Sequence, residues 1–205
     1  MTPILYSFRR CPYAMRARLG VAAAGIEVEL REILLRDKAP EFLATSPSAT
    51  VPCLVAGDNV IDESLDIMIW ALEQHDPEGW LEMPDAGHAL IATADGPFKQ
   101  ALDRTKYATR YPEVDPEEQR AKAATFLRAL DAQLDDWIFD RPTLADYAIL
   151  PFVRQFAFID RAWFDAQDWP ALRGWLDRFL ASPRFESVMD KYPQWQPGDT
   201  PVSFP

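Results

Sequence analysis

The chain has 205 residues, 48% hydrophobic and 12% aromatic, enough apolar material for one large or two small domains with a real core. A formal net charge of -11 argues against non-specific nucleic-acid binding, which needs a basic face, and no apolar run approaches the roughly 18–20 residues of a membrane span. Two cysteines, Cys11 and Cys53, make no disulfide framework, and with no basic or long apolar leader in Met1-Thr2-Pro3-Ile4 a reducing, cytoplasmic setting is expected. His75 and His88 show no metal-ligand spacing and the glycines are scattered, so neither a metal nor a nucleotide is expected.

In chain order, residues 3–8 read as a strand and residues 12–24 as a helix, with Met15, Leu19, Ala22 and Ala23 on one face and Gly25 as its stop. Residues 26–33 alternate apolar and polar as a half-buried strand does, so a right-handed crossover joins a parallel pair. A loop and short helix around residues 34–43 and a turn-rich stretch at 45–50 follow. Residues 51–56 form a strand opened by Pro52, and Gly57-Asp58-Asn59 turns it into an antiparallel partner at Val60-Ile61-Asp62. Ser64 is expected to cap a helix from Leu65 to about His75, with Leu65, Met68, Ile69 and Leu72 inward. The order is βαβαββα.

Cys11 falls where the first strand gives way to the first helix, with Pro12 at the first helical position. A thiol there meets unpaired backbone N–H groups and the positive end of the helix dipole, which favour the nucleophilic thiolate. Arg9, Arg10 and Arg16 add positive potential. Cys53 follows Pro52 on a strand and is expected to point into the core as a structural thiol.

Past a linker at 78–87, marked by Gly79, Pro84 and Gly87, the pattern is helical. Residues 89–107 form a long helix open to a break at Gly96-Pro97, and residues 116–139 a second, with Phe126, Leu127, Leu130, Leu134 and Trp137 as its stripe. Thr143 and Asp146 form a capping pair before an apolar helix interrupted at Pro151, so Asp146 is assigned to folding and not to catalysis. A helix starts at Trp169-Pro170 and ends near residues 182–185, and the proline-rich tail from Trp195 is expected to pack as coil.

These residues resemble the glutathione transferase family, in its cysteine-containing, omega-like and glutaredoxin-like type. The likeness rests on Cys11-Pro12-Tyr13-Ala14-x-Arg16-x-Arg18-Leu19, Ala24-Gly25-Ile26, Asp37-Lys38-Ala39-Pro40-Glu41-Phe42, Ser46-Pro47, Val51-Pro52-x-Leu54 and Glu63-Ser64, in order and at family spacing. It spans essentially the whole chain and is strongest in the first 76 residues. It implies a thioredoxin-like α/β domain over residues 1–77 followed by an all-α domain over 88–205, in a homodimer.

The resemblance also implies a glutathione site at Tyr13, Lys38, Val51, Pro52, Glu63 and Ser64. Pro52 would follow a cis peptide that leaves the Val51 N–H and C=O to pair with an extended peptide ligand. Ser64 and the first helical N–H groups would hold a carboxylate, Glu63 an ammonium, and Lys38 the opposite carboxylate. Ala14 stands where a dithiol enzyme has its second cysteine, so an external thiol would have to clear a disulfide on Cys11. Glutathione would be the co-substrate and a small electrophile or disulfide the second substrate, with Phe98, Tyr107, Tyr111 and tail aromatics as candidates for its pocket. Other readings stay open: conjugation of glutathione to electrophiles without need of Cys11, a hydroxyl role for Tyr6 or Ser7, or a non-enzymatic interaction protein that kept the fold.

Overall fold

The structure is a computed structural model that describes residues 2–205. It divides into two units, one of residues up to Leu81 together with Ser182–Pro205, the other of Glu82–Ala181.

In the first unit, β1 (Ile4–Ser7), α1 (Pro12–Ala24) and β2 (Val28–Glu32) form the expected crossover, with β1 and β2 parallel, Leu5 opposite Leu30. Then come α2 (Pro40–Thr45), β3 (Cys53–Ala56), β4 (Asn59–Ile61) and α3 (Ser64–Gln74). Helix α1 is closed by Gly25 at φ +64°, where the Gly25 N–H is returned to the last turn of the helix. β3 runs antiparallel to β1, Tyr6 opposite Cys53, and β4 antiparallel to β3. Alternation puts Tyr6 and Cys53 on one face, where they pack with Ile33, Phe42 and Val51. Leu5, Leu30 and Leu54 take the other face and are buried.

The tail is not coil throughout. Ser203–Phe204 forms β5, antiparallel to β2, giving a five-stranded sheet ordered β4-β3-β1-β2-β5. β2 would otherwise be an open edge, and pairing satisfies its backbone groups. Residues 182–205, expected with the helical region, thus return to the first unit.

The second unit is helical: α4 (Asp85–Thr93), α5 (Lys99–Lys106), α6 (Pro116–Gln133), α7 (Leu144–Ala157), α8 (Arg161–Asp165) and α9 (Pro170–Leu180), with α10 (Pro183–Ser187) back in the first unit. Gly96-Pro97 does not break the chain direction. Residues Ala94–Phe98 form a wide π turn joining α4 to α5, which accommodates a proline lacking an N–H. Helix α6 ends at Gln133 and not near Phe139. The Ile138 N–H is instead bonded to the Asp146 carboxylate at 3.0 Å, so it cannot extend a helical ladder. Pro151 does not interrupt α7, whose residues Leu144–Val153 are all buried and held by neighbouring packing. Among the described residues no helix is long and apolar enough to cross a membrane.

Candidate active site

Cys11 is the residue before α1, in extended conformation at φ -72° and ψ 125°, with its side chain making no bond that caps the helix. A tight turn precedes it, in which the Cys11 N–H donates to the Phe8 carbonyl at 3.0 Å. Cys11 is partly exposed as a residue, and neither cysteine is in a disulfide. It lies against the apolar cluster of Tyr6, Phe42, Val51 and Cys53 and contacts the Val51 carbonyl oxygen at 3.8 Å.

The two hydroxyls close by are turned to other partners. Tyr6 is 2% exposed and its hydroxyl accepts from Arg31 at 2.8 Å. Ser7 is fully buried, and its Oγ accepts from Arg18 at 2.5 Å. Of the three residues with chemically capable groups at this strand end, Tyr6 and Ser7 are buried and Cys11 is partly exposed.

The Val51–Pro52 peptide is cis. A cavity of about 340 Å³ beside it is lined by Tyr13, Thr50, Val51, Pro52, Asp62, Glu63 and Ser64. The fold thus brings together five of the residues expected at a peptide-ligand site, and adds Thr50 and Asp62, which stand beside members of the motifs. Asp62 also accepts the Ser48 N–H at 3.0 Å, so it shapes the loop that enters β3. Glu63 is exposed and Ser64 buried.

Two expectations need correction in detail. Ser64 does not cap α3: it is the first helical residue, Glu63 holds the cap position, and the Ser64 Oγ accepts from the buried Arg16 at 3.4 Å. Lys38 does not line the cavity; its ammonium donates to the Ala49 carbonyl at 3.0 Å. Ala49 sits at φ +54°, a region that L residues with a side chain rarely adopt, so Lys38 helps to hold a strained corner just before Val51.

Two charges of opposite sign, Arg18 and Glu32, hold the turn before the cysteine. Arg18 is 1% exposed and donates to the Arg9 carbonyl at 2.7 Å, while the Arg9 N–H donates to Glu32 at 2.7 Å. Burial lowers the Arg18 pKa to about 10, which leaves it a cation at neutral pH, and burial raises that of Glu32. Arg18 stands in the motif at Arg16-x-Arg18, but only the fold brings it under residues 7–9.

Cys53 is fully buried, and burial pushes its thiol up to about 11, in keeping with a structural role. Phe98 is 1% exposed and packs tilted against Phe126 at 4.8 Å and Phe156 at 5.9 Å, and with Phe126 it lines a cavity of about 470 Å³ in the helical unit. Tyr107 carries the cations of Lys106 and Arg110 over its ring, and Arg104 lies over Tyr111.

Two family models match the chain. Residues 5–79 match the glutathione S-transferase N-terminal domain and residues 89–178 the glutathione S-transferase C-terminal domain. Glutathione S-transferase 1 of Dianthus caryophyllus is 39% identical over 77 residues, which cover 36% of this chain and 34% of that protein. The chain thus spans about a third of the length of this relative. A probable glutathione S-transferase GSTU1 of Oryza sativa subsp. japonica is 27% identical over 208 residues, covering 93% of this chain and 89% of that one. A crystal structure of a glutathione transferase family member from Pseudomonas fluorescens pf-5 superposes with a TM-score of 0.77, at 21% identity and 92% coverage of each chain. A thioredoxin-like mixed sheet followed by a helical unit, each matched by its own family model in the right order, places this protein in the glutathione S-transferase family.

Proposed function

We propose that this protein is a glutathione-dependent thioltransferase of the cysteine-containing, omega-like and glutaredoxin-like type, with Cys11 as its single catalytic thiol. The observation that carries this is the contrast at the end of β1. Tyr6 and Ser7 are buried with their hydroxyls bonded to Arg31 and Arg18, while Cys11, at the start of α1, is a partly exposed residue with a free thiol. The helix N-terminus favours its thiolate.

The cavity lined by Tyr13, Val51, Pro52, Glu63 and Ser64 supports glutathione as the co-substrate. The Val51 backbone would pair with the peptide, the first N–H groups of α3 would hold its γ-glutamyl carboxylate, and Glu63 its ammonium. Lys38 would reach the glycyl carboxylate only by giving up its bond to Ala49. The Pseudomonas relative is described with two glutathione bound, in agreement with this assignment.

The Cys11 thiolate attacks the glutathionyl sulfur of a mixed disulfide. The old S–S bond breaks, the substrate leaves as a thiol after taking a proton, and Cys11 is left joined to glutathione. A second glutathione, as thiolate, attacks that disulfide, releases glutathione disulfide and restores Cys11. One disulfide is consumed and one formed, so the electrons balance. Ala14 leaves no resolving thiol within the motif, hence the need for an external one.

Turnover of a small glutathionyl mixed disulfide, compared between wild type and Cys11→Ala, tests the proposal. Loss of at least about a hundredfold in kcat/KM, with glutathione binding retained, is expected for removal of a covalent nucleophile. Turnover that survives in Cys11→Ala would overturn the thiol mechanism in favour of conjugation. Absence of glutathione binding in the wild type would overturn the enzyme itself.

A further inference from the structure

The turn that presents Cys11 is gripped by two buried or half-buried charges of opposite sign. The Arg18 guanidinium donates from Nε to the Val188 carbonyl at 2.8 Å and from its terminal nitrogens to the Ser7 Oγ at 2.5 Å and the Arg9 carbonyl at 2.7 Å. All three acceptors are neutral. The Glu32 carboxylate, from the adjacent strand β2, accepts the N–H of the same Arg9 at 2.7 Å. Both backbone groups of a residue two places before Cys11 are therefore bonded to side chains of opposite charge.

We infer that Arg18 and Glu32 are opposed positioning residues for Cys11. Together they set the geometry of the turn, the guanidinium draws the thiol toward its thiolate, and the carboxylate restrains that tendency. This rests on the Cys11 reading above and deepens it.

The physical basis is the weak screening of charge in a protein interior. A guanidinium with 1% exposure is not surrounded by water that would mask it. Burial lowers the Arg18 pKa most, against the charges of Glu32, Cys11 and Tyr192, which favour its cation. Such coupling is reciprocal, so what Cys11 does for Arg18, Arg18 does for Cys11. Other ionisable groups face the pair. On the turn are Arg9, which also contacts the Met189 carbonyl at 3.5 Å, and the exposed Arg10. On α1 there is Arg16, bonded to Ser64. Tyr192 approaches from the C-terminal segment with Asp190 beside it, its own pKa raised by burial and by that aspartate. Across the apolar cluster, Asp62 acts on Cys53.

The test needs no glutathione. The rate of alkylation of Cys11 by iodoacetamide is followed against pH in wild type, Arg18→Gln and Glu32→Gln, with the label located by mass spectrometry. Cys53, buried and with a pKa near 11, is the internal control. Arg18→Gln is expected to move the inflection of the profile up by about one pH unit, and Glu32→Gln to move it down by a smaller amount. Arg18→Lys, which keeps the charge without the fork, is expected to return most of the way to wild type.

A purely structural role would move both variants in the same direction, through a loosened turn. Shifts of equal sign, or no shift in either, would overturn the inference. Should Arg18→Gln fail to fold, Glu32→Gln decides alone: a lower inflection supports the inference and an unchanged or higher one overturns it. Failure to turn over a mixed disulfide would count against the proposed function and leave these profiles readable.

Discussion

Asp146 is fully buried in the helical unit, and its carboxylate is shared by four donors. It accepts from the Thr143 N–H at 2.9 Å, the Ile138 N–H at 3.0 Å, the Trp175 Nε1 at 3.1 Å and the Thr143 Oγ1 at 3.2 Å. One side chain thus ties the segment after α6, the start of α7 and the face of α9. Asp146→Ala leaves these donors without their charged acceptor and is expected to lower unfolding stability by about 3 kcal/mol, read from urea denaturation. The pH dependence has a definite sign. Burial raises the Asp146 pKa above its ordinary value, so the folded chain holds this proton more tightly than the unfolded one. That contribution is present at acid pH and is lost as pH rises through the raised value. In Asp146→Asn this part of the stability profile should be flat.

At the scale of elements, α1 and α3 matter most, because α1 begins beside Cys11 and α3 begins at Ser64. Their approach depends on Gly20. A Cβ there would lie 2.8 Å from the Met68 Cα, a backbone atom that cannot swing away. Gly20→Ala gains about 0.5–1 kcal/mol of helix propensity but forces the two helices apart at a cost of about 1–3 kcal/mol. The expected result is a lower melting temperature together with weaker glutathione binding, measured by calorimetry on the folded variant. Unaltered binding with lowered stability would show that the start of α3 does not depend on this contact. The π turn at Ala94–Phe98 makes the converse point, that an element can absorb a residue that should break it. Its Pro97 needs no donor, and the wider turn leaves room for the ring.

For the molecule as a whole, the last residues complete the first unit. Trp195 donates its N–H to the Glu32 carbonyl at 2.9 Å and packs edge-on to Tyr6 at 5.9 Å. The Arg31 guanidinium lies 4.3 Å from the Trp195 ring centroid. Phe204, in β5, is buried opposite Val28. Removing residues 190–205 should expose the edge of β2 and the Tyr6 face. The expected outcome is a fall in melting temperature of about 10 °C and faster aggregation by light scattering. A truncated chain as stable and soluble as the parent would show that this segment is dispensable.

Local chemistry was legible from the chain alone. Pro12 and Gly25 bracket α1 because one suits a first turn and the other a left-handed stop, and neither depends on distant residues. The Thr143–Asp146 pair and the turn at Gly57 are of the same kind. The spaced motifs also drew Tyr13, Val51, Pro52, Glu63 and Ser64 into one candidate site, which the fold gathers around a single cavity. What local pattern could not disclose was long-range. Helix α6 stops at Gln133 while the Ile138 N–H is bonded to Asp146, and α7 runs through Pro151 inside a buried environment. Lys38 answers to Ala49, and Arg18 to Ser7, Arg9 and the distant Val188. The tail finds β2 only once that strand has an edge to offer. The ends of α1, the Thr143–Asp146 cap and the turn at Gly57 are fixed by interactions within a few residues, so the sequence by itself determined them. The partners of a buried charge or an open strand are set by which segments meet in space, and only the tertiary structure decides that.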